Sequence, residues 1–175
     1  MERIADFKKV SESIFTEEAT VALKLDMGEA AKAYSELKLP VRATTGSAGY
    51  DFYAPTDITI LPGETVKVPT GIRSRMDEGW VLMIFPRSGL GFKYRLMLDN
   101  TVGIIDSDYY NSDNEGHIMI KITNCSGIGN GEGKVLEIKK GQGFAQGVFL
   151  PFGITTDDVA SGERNGGFGS TTATV

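Results

Sequence analysis

Cysteine and histidine are almost absent: Cys125 and His117 stand alone among 175 residues. A single thiol makes no disulfide within the chain, and with one imidazole beside it a zinc centre has too few ligands. Long apolar runs are missing as well. None approaches the ~18 residues of a membrane span, and Met1-Glu2-Arg3 leads into charges rather than an apolar signal core, so a soluble, unprocessed, cytoplasmic chain with no membrane partner is expected. An excess of basic residues is also lacking: 18 Lys and Arg against 23 Asp and Glu leave a net charge of -5. General nucleic-acid binding draws its affinity from a basic face, so nucleic acid is not an expected partner, and any phosphate site must be local. What remains is an ordinary globular balance, 41% hydrophobic and 23% charged, sized for one domain with a core. Glycine is the exception. Its 22 residues are about twice the typical ~7%, which calls for many tight turns or for backbone that approaches a ligand closely.

From Asp57 onward, short apolar runs alternate with turn signals: Ile58 to Leu61 before Pro62-Gly63, Val66 to Val68 before Pro69, Trp80 to Phe85 before Pro86. Ile118, Ile120 and Ile122 alternate with Met119, Lys121 and Thr123, a period of two. An antiparallel β-sandwich or barrel follows. The first forty residues are mixed. Ser11 to Ala19 and Met27 to Leu37 are rich in helix formers, while Val21 to Leu25 alternates, which predicts one strand there flanked by short helical turns. The end, Ser161 to Thr172, reads either as a disordered tail or as an aromatic and an arginine among glycines and hydroxyls, able to order around a planar phosphorylated ligand.

Four further segments carry possible chemistry. Ala43 to Ala54 surrounds one acid, Asp51, with small residues; taken alone, a glycine turn entering an edge strand with a solvated acid is the better explanation. Pro86-Arg87-Ser88-Gly89-Leu90-Gly91 ends an apolar run and offers a guanidinium, a hydroxyl and glycine amides with no acid nearby, which suits a phosphate as well as a plain turn. In Asn100 to Tyr109, Asp106 follows Ile104-Ile105, so a carboxylate at a strand end can orient a water and accept its proton. Asn100 matches a donor and an acceptor on a base edge. Turn roles for Asp106, Asp108 and Asn100 stand beside those readings. Last, Gly141 to Gly147 sets Gln146 in a strand-like run, where a polar side chain needs a partner.

Taken together and in this order, the five segments resemble the five motifs of the trimeric dUTP pyrophosphatases, with the match running from about Lys38 to Thr171. The resemblance implies an all-β jelly-roll protomer of the β-clip type, a homotrimer with active sites shared between subunits, and Mg2+-dependent hydrolysis of dUTP to dUMP and pyrophosphate. Such an activity limits uracil in DNA and supplies dUMP for thymidylate synthesis. It implies a domain over residues 1–160, with 1–37 an extension of no assigned role, and a flexible arm over 161–175 that closes over a site. Carried over position by position, Asp106 is similar to the general base and Asp51 to the acid that holds magnesium through water. Arg87, Ser88, Gly89 and Gln146 match the phosphate binders. Asn100, Gly103, Ile104, Ile105 and Met119 correspond to the uracil-reading hairpin, and Tyr109 to the ring beneath the deoxyribose. Phe168 resembles the aromatic that stacks on uracil, with Arg164, Gly169, Ser170 and Thr171 reaching the outer phosphates.

The chain also departs from that pattern. Tyr110 to Glu115 replace what is usually a single residue, which most simply lengthens a surface loop and offers a contact to a neighbouring subunit or partner protein. The fourth motif begins Gly141-Gln142-Gly143 rather than Gly-Asp-Arg, and Arg164 lies four residues before Phe168 rather than five. Two other readings compete. A dCTP deaminase of the same fold needs a glutamate on the strand His117 to Asn124, where none occurs and Lys121 stands near the required place. A trimeric binding or regulatory protein controlled by nucleotide would differ by binding dUTP without releasing pyrophosphate.

Overall fold

Helix signals near the N-terminus translate directly into structure. In the computed structural model, which describes residues 2–129, 131–162, 164 and 166, the Ser11 hydroxyl accepts from the Ile14 amide at 3.4 Å and starts helix α1 (Glu12–Ala22). Asp26 and Glu29 exchange side-chain and backbone bonds at 2.8 and 2.9 Å, a reciprocal cap that starts α2 (Met27–Ser35). Phe15 and Ala19 of one helix bury against Ala30 and Ala33 of the other, the small residues letting the two approach.

The strand predicted at Val21 to Leu25 does not form. Val21 and Ala22 complete α1, and Lys24 turns the chain with φ +56°. Five alternating residues were outweighed by a capped helix whose buried face, Phe15, Thr16 and Ala19, already faces α2. The extension's strand is instead β1 (Ala5–Lys9).

The remaining strands are β2 (Val41–Arg42), β3 (Tyr50–Tyr53), β4 (Ile58–Ile60), β5 (Thr65–Pro69), β6 (Ile72–Met76), β7 (Trp80–Pro86), β8 (Leu96–Leu98), β9 (Gly103–Ile105), β10 (Met119–Asn124), β11 (Leu136–Ile138) and β12 (Gly143–Pro151). All pairings are antiparallel: β2-β3-β12-β7-β9 in one sheet, β5-β10-β8 in a second, with the ribbons β11-β4 and β1-β6 alongside. The fold is the expected all-β jelly roll. Phe52, Leu82, Ile84 and Phe144 from the five-stranded sheet join Val68, Leu98, Ile120 and Ile122 from the three-stranded one in a single core. The predicted alternation on β10 holds, with Ile118, Ile120 and Ile122 at most 2% exposed and Lys121 exposed.

Two local expectations need correction. Pro86 to Gly91 reads in sequence as a phosphate-binding segment or a plain turn; the plain turn does not form, since after Pro86 the chain enters helix α3 (Ser88–Tyr94), where Leu90 and Tyr94 pack against the core. Tyr110 to Glu115 is more than a lengthened surface loop. A 3-10 turn, Asp108–Asn111, opens it, Ser112 is buried, and the Glu115 carboxylate accepts from the Ser11 amide at 2.8 Å.

His117 lies just before β10 and is 1% exposed. Its Nε2 accepts from the Gly71 amide at 2.8 Å, which puts the ring proton on Nδ1. Burial pushes its pKa down to about 4, below the ~6.5 of an unfolded chain. Between those values the unfolded chain takes up a proton that the folded one refuses, so stability falls as pH drops from about 6.5 towards 4, by roughly 3 kcal/mol across the window. Denaturant unfolding at pH 7 and pH 4.5 measures it. His117→Gln, which keeps an acceptor for Gly71, is expected to remove most of that pH dependence; an unchanged slope would show that other groups carry it.

Candidate active site

The residues singled out by sequence fall into two groups in one chain. The first surrounds the end of β7. Asp51 on β3 reaches across β12, and its Oδ1 lies 3.3 Å from Arg87 Nε, so the guanidinium read as having no acid nearby has one in space. Gln146 on β12 lies opposite Asp51 on one side and Phe85 on the other, and its Nε2 donates to the Pro86 carbonyl at 3.3 Å. Ser88 and Gly89 open α3, where the first amides have no carbonyl one turn earlier to bond.

Two glycines make this packing possible, and neither was read from sequence as doing so. A Cβ on Gly143 would lie 2.8 Å from Arg87 Nη1, and one on Gly49 would lie 2.5 Å from Gln146 Oε1. Gly143 sits at a bulge where Phe144 falls out of register with β3 and its carbonyl accepts from the Arg87 amide instead.

The second group lines a cavity of about 190 Å³ between β9 and β10. Asn100, Gly103, Ile104, Ile105, Tyr109, Met119 and Arg164 all reach it. Among the described residues β9 is the edge of its sheet, paired only with β7, so its outer backbone groups face the cavity side as a row of donors and acceptors. Tyr109 is 3% exposed. Its hydroxyl donates to the His117 carbonyl at 2.8 Å and accepts from Asn114 Nδ2 at 2.8 Å, and burial pushes the phenol pKa up, so it stays neutral.

Asp106 directly follows Ile105 of the cavity lining and is half exposed. Arg164 Nη1 bonds its Oδ2 at 2.7 Å and Asp108 Oδ1 at 3.2 Å, while the guanidinium lies 5.1 Å from the Tyr109 ring centre. Burial works against the Arg164 charge, but the two carboxylates outweigh it and its pKa moves up. Asp108, set aside in sequence as a turn acid, is thus part of the cluster. Phe168, Gly169, Ser170 and Thr171 lie outside the described residues. Lys121, which also lines the cavity, is paired with Asp99 at 3.0 Å, so no carboxylate of β10 points where a deaminase would need one.

The two groups do not meet within one chain. Ile105 lies opposite Leu82, so Asp106 falls level with Val81, six residues before Arg87, and at ~3.4 Å per residue about 20 Å of strand separates Asp106 from Arg87.

These two clusters on a β jelly roll can be set beside known proteins. Residues 35–172 match the dUTPase family model. The deoxyuridine 5'-triphosphate nucleotidohydrolase of Lactococcus lactis subsp. lactis is 41% identical over 140 residues, covering 78% of this chain and 89% of its own. The enzyme of the same name from Shewanella baltica (strain OS155 / ATCC BAA-1091) is 43% identical over 143 residues, covering 77% and 87%. The crystal structure of dUTPase from Streptococcus mutans superimposes with a TM-score of 0.61 at 33% identity, covering 85% of this chain and 97% of that one. A match that runs through both clusters, at these identities and nearly the full length of each relative, leaves one conclusion: the chain belongs to the dUTPase family.

Proposed function

We propose that this chain hydrolyses dUTP to dUMP and pyrophosphate in the cytoplasm, as a homotrimer whose sites each join the Asp106 cavity of one subunit to the Arg87 cluster of another. The observation that carries the reading is the cavity itself: an edge strand for the base, a buried tyrosine for the sugar and a carboxylate bonded to Arg164 of the lining. Uracil presents acceptor, donor and acceptor along one edge. The outer backbone of Gly103 to Ile105, with the Asn100 amide and Met119 closing the return strand, matches that edge as a neighbouring strand would. Cytosine inverts part of the pattern and leaves buried groups unpaired, which rejects by a factor of about 10⁴. The small volume excludes a 5-methyl group, and the Tyr109 ring takes the space of a 2'-hydroxyl.

Asp106 orients a water and accepts its proton as the oxygen attacks the α-phosphorus in line. The bond to the bridging oxygen breaks, pyrophosphate leaves, and the proton passes to solvent. Arg164 exchanges Asp106 and Asp108 for phosphate oxygens, which frees the carboxylate when substrate is present. The arm's Phe168 covers the uracil, and Gly169, Ser170 and Thr171 follow Arg164 to the outer phosphates. Arg87, Ser88, Gly89 and Gln146 of the second subunit hold the phosphate chain.

The residues present fit magnesium carried in by the triphosphate. Among the described residues no three His, Cys, Asp or Glu side chains converge, but Asp51 is a hard oxygen donor beside the phosphate binders, and magnesium binds through few carboxylates, water and phosphate oxygens. Bound there, it offsets charge on the outer phosphates and eases departure of pyrophosphate. EDTA is therefore expected to suppress turnover and added Mg2+ to restore it; full activity in EDTA would remove Asp51 from the scheme.

The deciding experiment compares pyrophosphate release from dUTP, dTTP, dCTP and UTP, with ammonia release from dCTP followed in parallel. Strong preference for dUTP is expected. Ammonia from dCTP would establish the deaminase instead, and dUTP binding without pyrophosphate would establish a binding module.

A further inference from the structure

The residues between Tyr109 and His117 fold back on the tyrosine instead of reaching outward. Asn114 is the centre of the return. Its Nδ2 donates to the Tyr109 hydroxyl at 2.8 Å, its Oδ1 accepts from the Gly116 amide at 3.2 Å, and its carbonyl accepts from the His117 amide at 3.1 Å. The Tyr109 carbonyl accepts from Ser112 at 3.1 Å, so the ring is bracketed from both ends of the segment. Gly116 closes it with φ +67°; a Cβ there would lie 2.6 Å from the Tyr109 carbonyl oxygen, so no other residue fits this approach.

The segment is also tied down from outside. Glu115 accepts from the Ser11 amide at 2.8 Å and lies 3.8 Å from Arg73, whose guanidinium sits 4.1 Å from the Tyr110 ring centre. The Ser11 bonds and Arg73 hold the Glu115 pKa down. The N-terminal extension and the insert thus form one clasp, and its innermost contact is the phenolic oxygen of the residue placed beneath the sugar.

We propose that Asn114 is a positioning residue for sugar discrimination: its amide, held by the insert and anchored to the extension, fixes the tilt of the Tyr109 ring against the 2' position of the bound nucleotide. This rests on the reading of Tyr109 as the sugar platform. The His117 carbonyl and the Asn114 amide hold the phenolic oxygen from two directions, and loss of the Asn114 bond relaxes the tilt of the ring within its packing. A ring free to tilt admits a 2'-hydroxyl, whereas the deoxy sugar is accepted either way.

The test is the ratio of kcat/KM for dUTP to that for UTP in the full-length protein, for wild type, Asn114→Ala, Tyr109→Phe and the double variant. Asn114→Ala is expected to lower the ratio about five- to tenfold, the scale of one hydrogen bond, by raising kcat/KM for UTP. Tyr109→Phe is expected to lower it by a similar factor, and the double variant to match Tyr109→Phe alone, since the amide then has no oxygen to hold. A merely structural role would lower both substrates together and leave the ratio intact, which would overturn the proposal, as would an equal further loss from Asn114→Ala in the Tyr109→Phe background. Tyr109→Ala separates the two levels. If it leaves the ratio unchanged, the sugar platform itself is wrong; if it collapses the ratio while Asn114→Ala does nothing, only the role of Asn114 is.

Discussion

Asp106→Asn is expected to lower kcat by about 10² to 10⁴, the usual contribution of a positioned general base, with little change in the affinity for dUTP. The amide has nearly the shape of the carboxylate, so the cavity behind it, formed by β9, β10 and Tyr109, keeps its lining. What is lost is the ability to take a proton. Asp106 and Asp108 both hold the Arg164 guanidinium at 2.7 and 3.2 Å; neutralising one of them loosens the resting pair and makes Arg164 more available to phosphate, so the variant should bind dUTP as tightly as wild type or somewhat more tightly. Stopped-flow pyrophosphate release gives the first quantity and titration calorimetry the second. Turnover within tenfold of wild type would move the base elsewhere, and Asp108 would be the next carboxylate to test.

How much of this was visible in the sequence depends on how local the cause is. The isoleucines of β10 alternate because one face of the strand is core and the other is not, and that is written in adjacent residues. Asp106 directly after Ile104-Ile105 likewise announces a strand end with an acid at its tip. The pairing of Arg87 with Asp51 is different: those residues belong to strands separated by β12, and only the sheet order brings them together. In the extension, β1 reads as Ala-Asp-Phe-Lys-Lys with only part of each side chain covered, too weak a pattern to compete with the clearer but misleading alternation at Val21 to Leu25. The insert was the least legible. An Asn- and Asp-rich stretch looks like a solvated loop, and what folds it inward is the positive φ at Gly116 and a bond from Glu115 to an amide 104 residues away.

Mixing two inactive variants gives the sharpest result for the assembly. Asp106→Asn chains keep the Arg87 cluster, and Arg87→Ala chains keep the Asp106 cavity. In the proposed assembly each site takes its Asp106 cavity from one subunit and its Arg87 cluster from another, since about 20 Å of strand lies between Asp106 and Arg87 within a chain. Each variant alone forms only defective sites. After co-refolding or co-expression in equal amounts, a site is intact when its cavity comes from an Arg87→Ala chain and its phosphate cluster from an Asp106→Asn chain, so random assembly with one half from each of two subunits restores about a quarter of wild-type activity. Sites contained within one chain would restore none. Arg87→Ala also frees Asp51 from its 3.3 Å partner without touching the core, since neither residue belongs to the buried hydrophobic cluster. The variants are therefore expected to fold and assemble, and light scattering on each, alone and mixed, checks that the recovered activity travels with a three-chain mass.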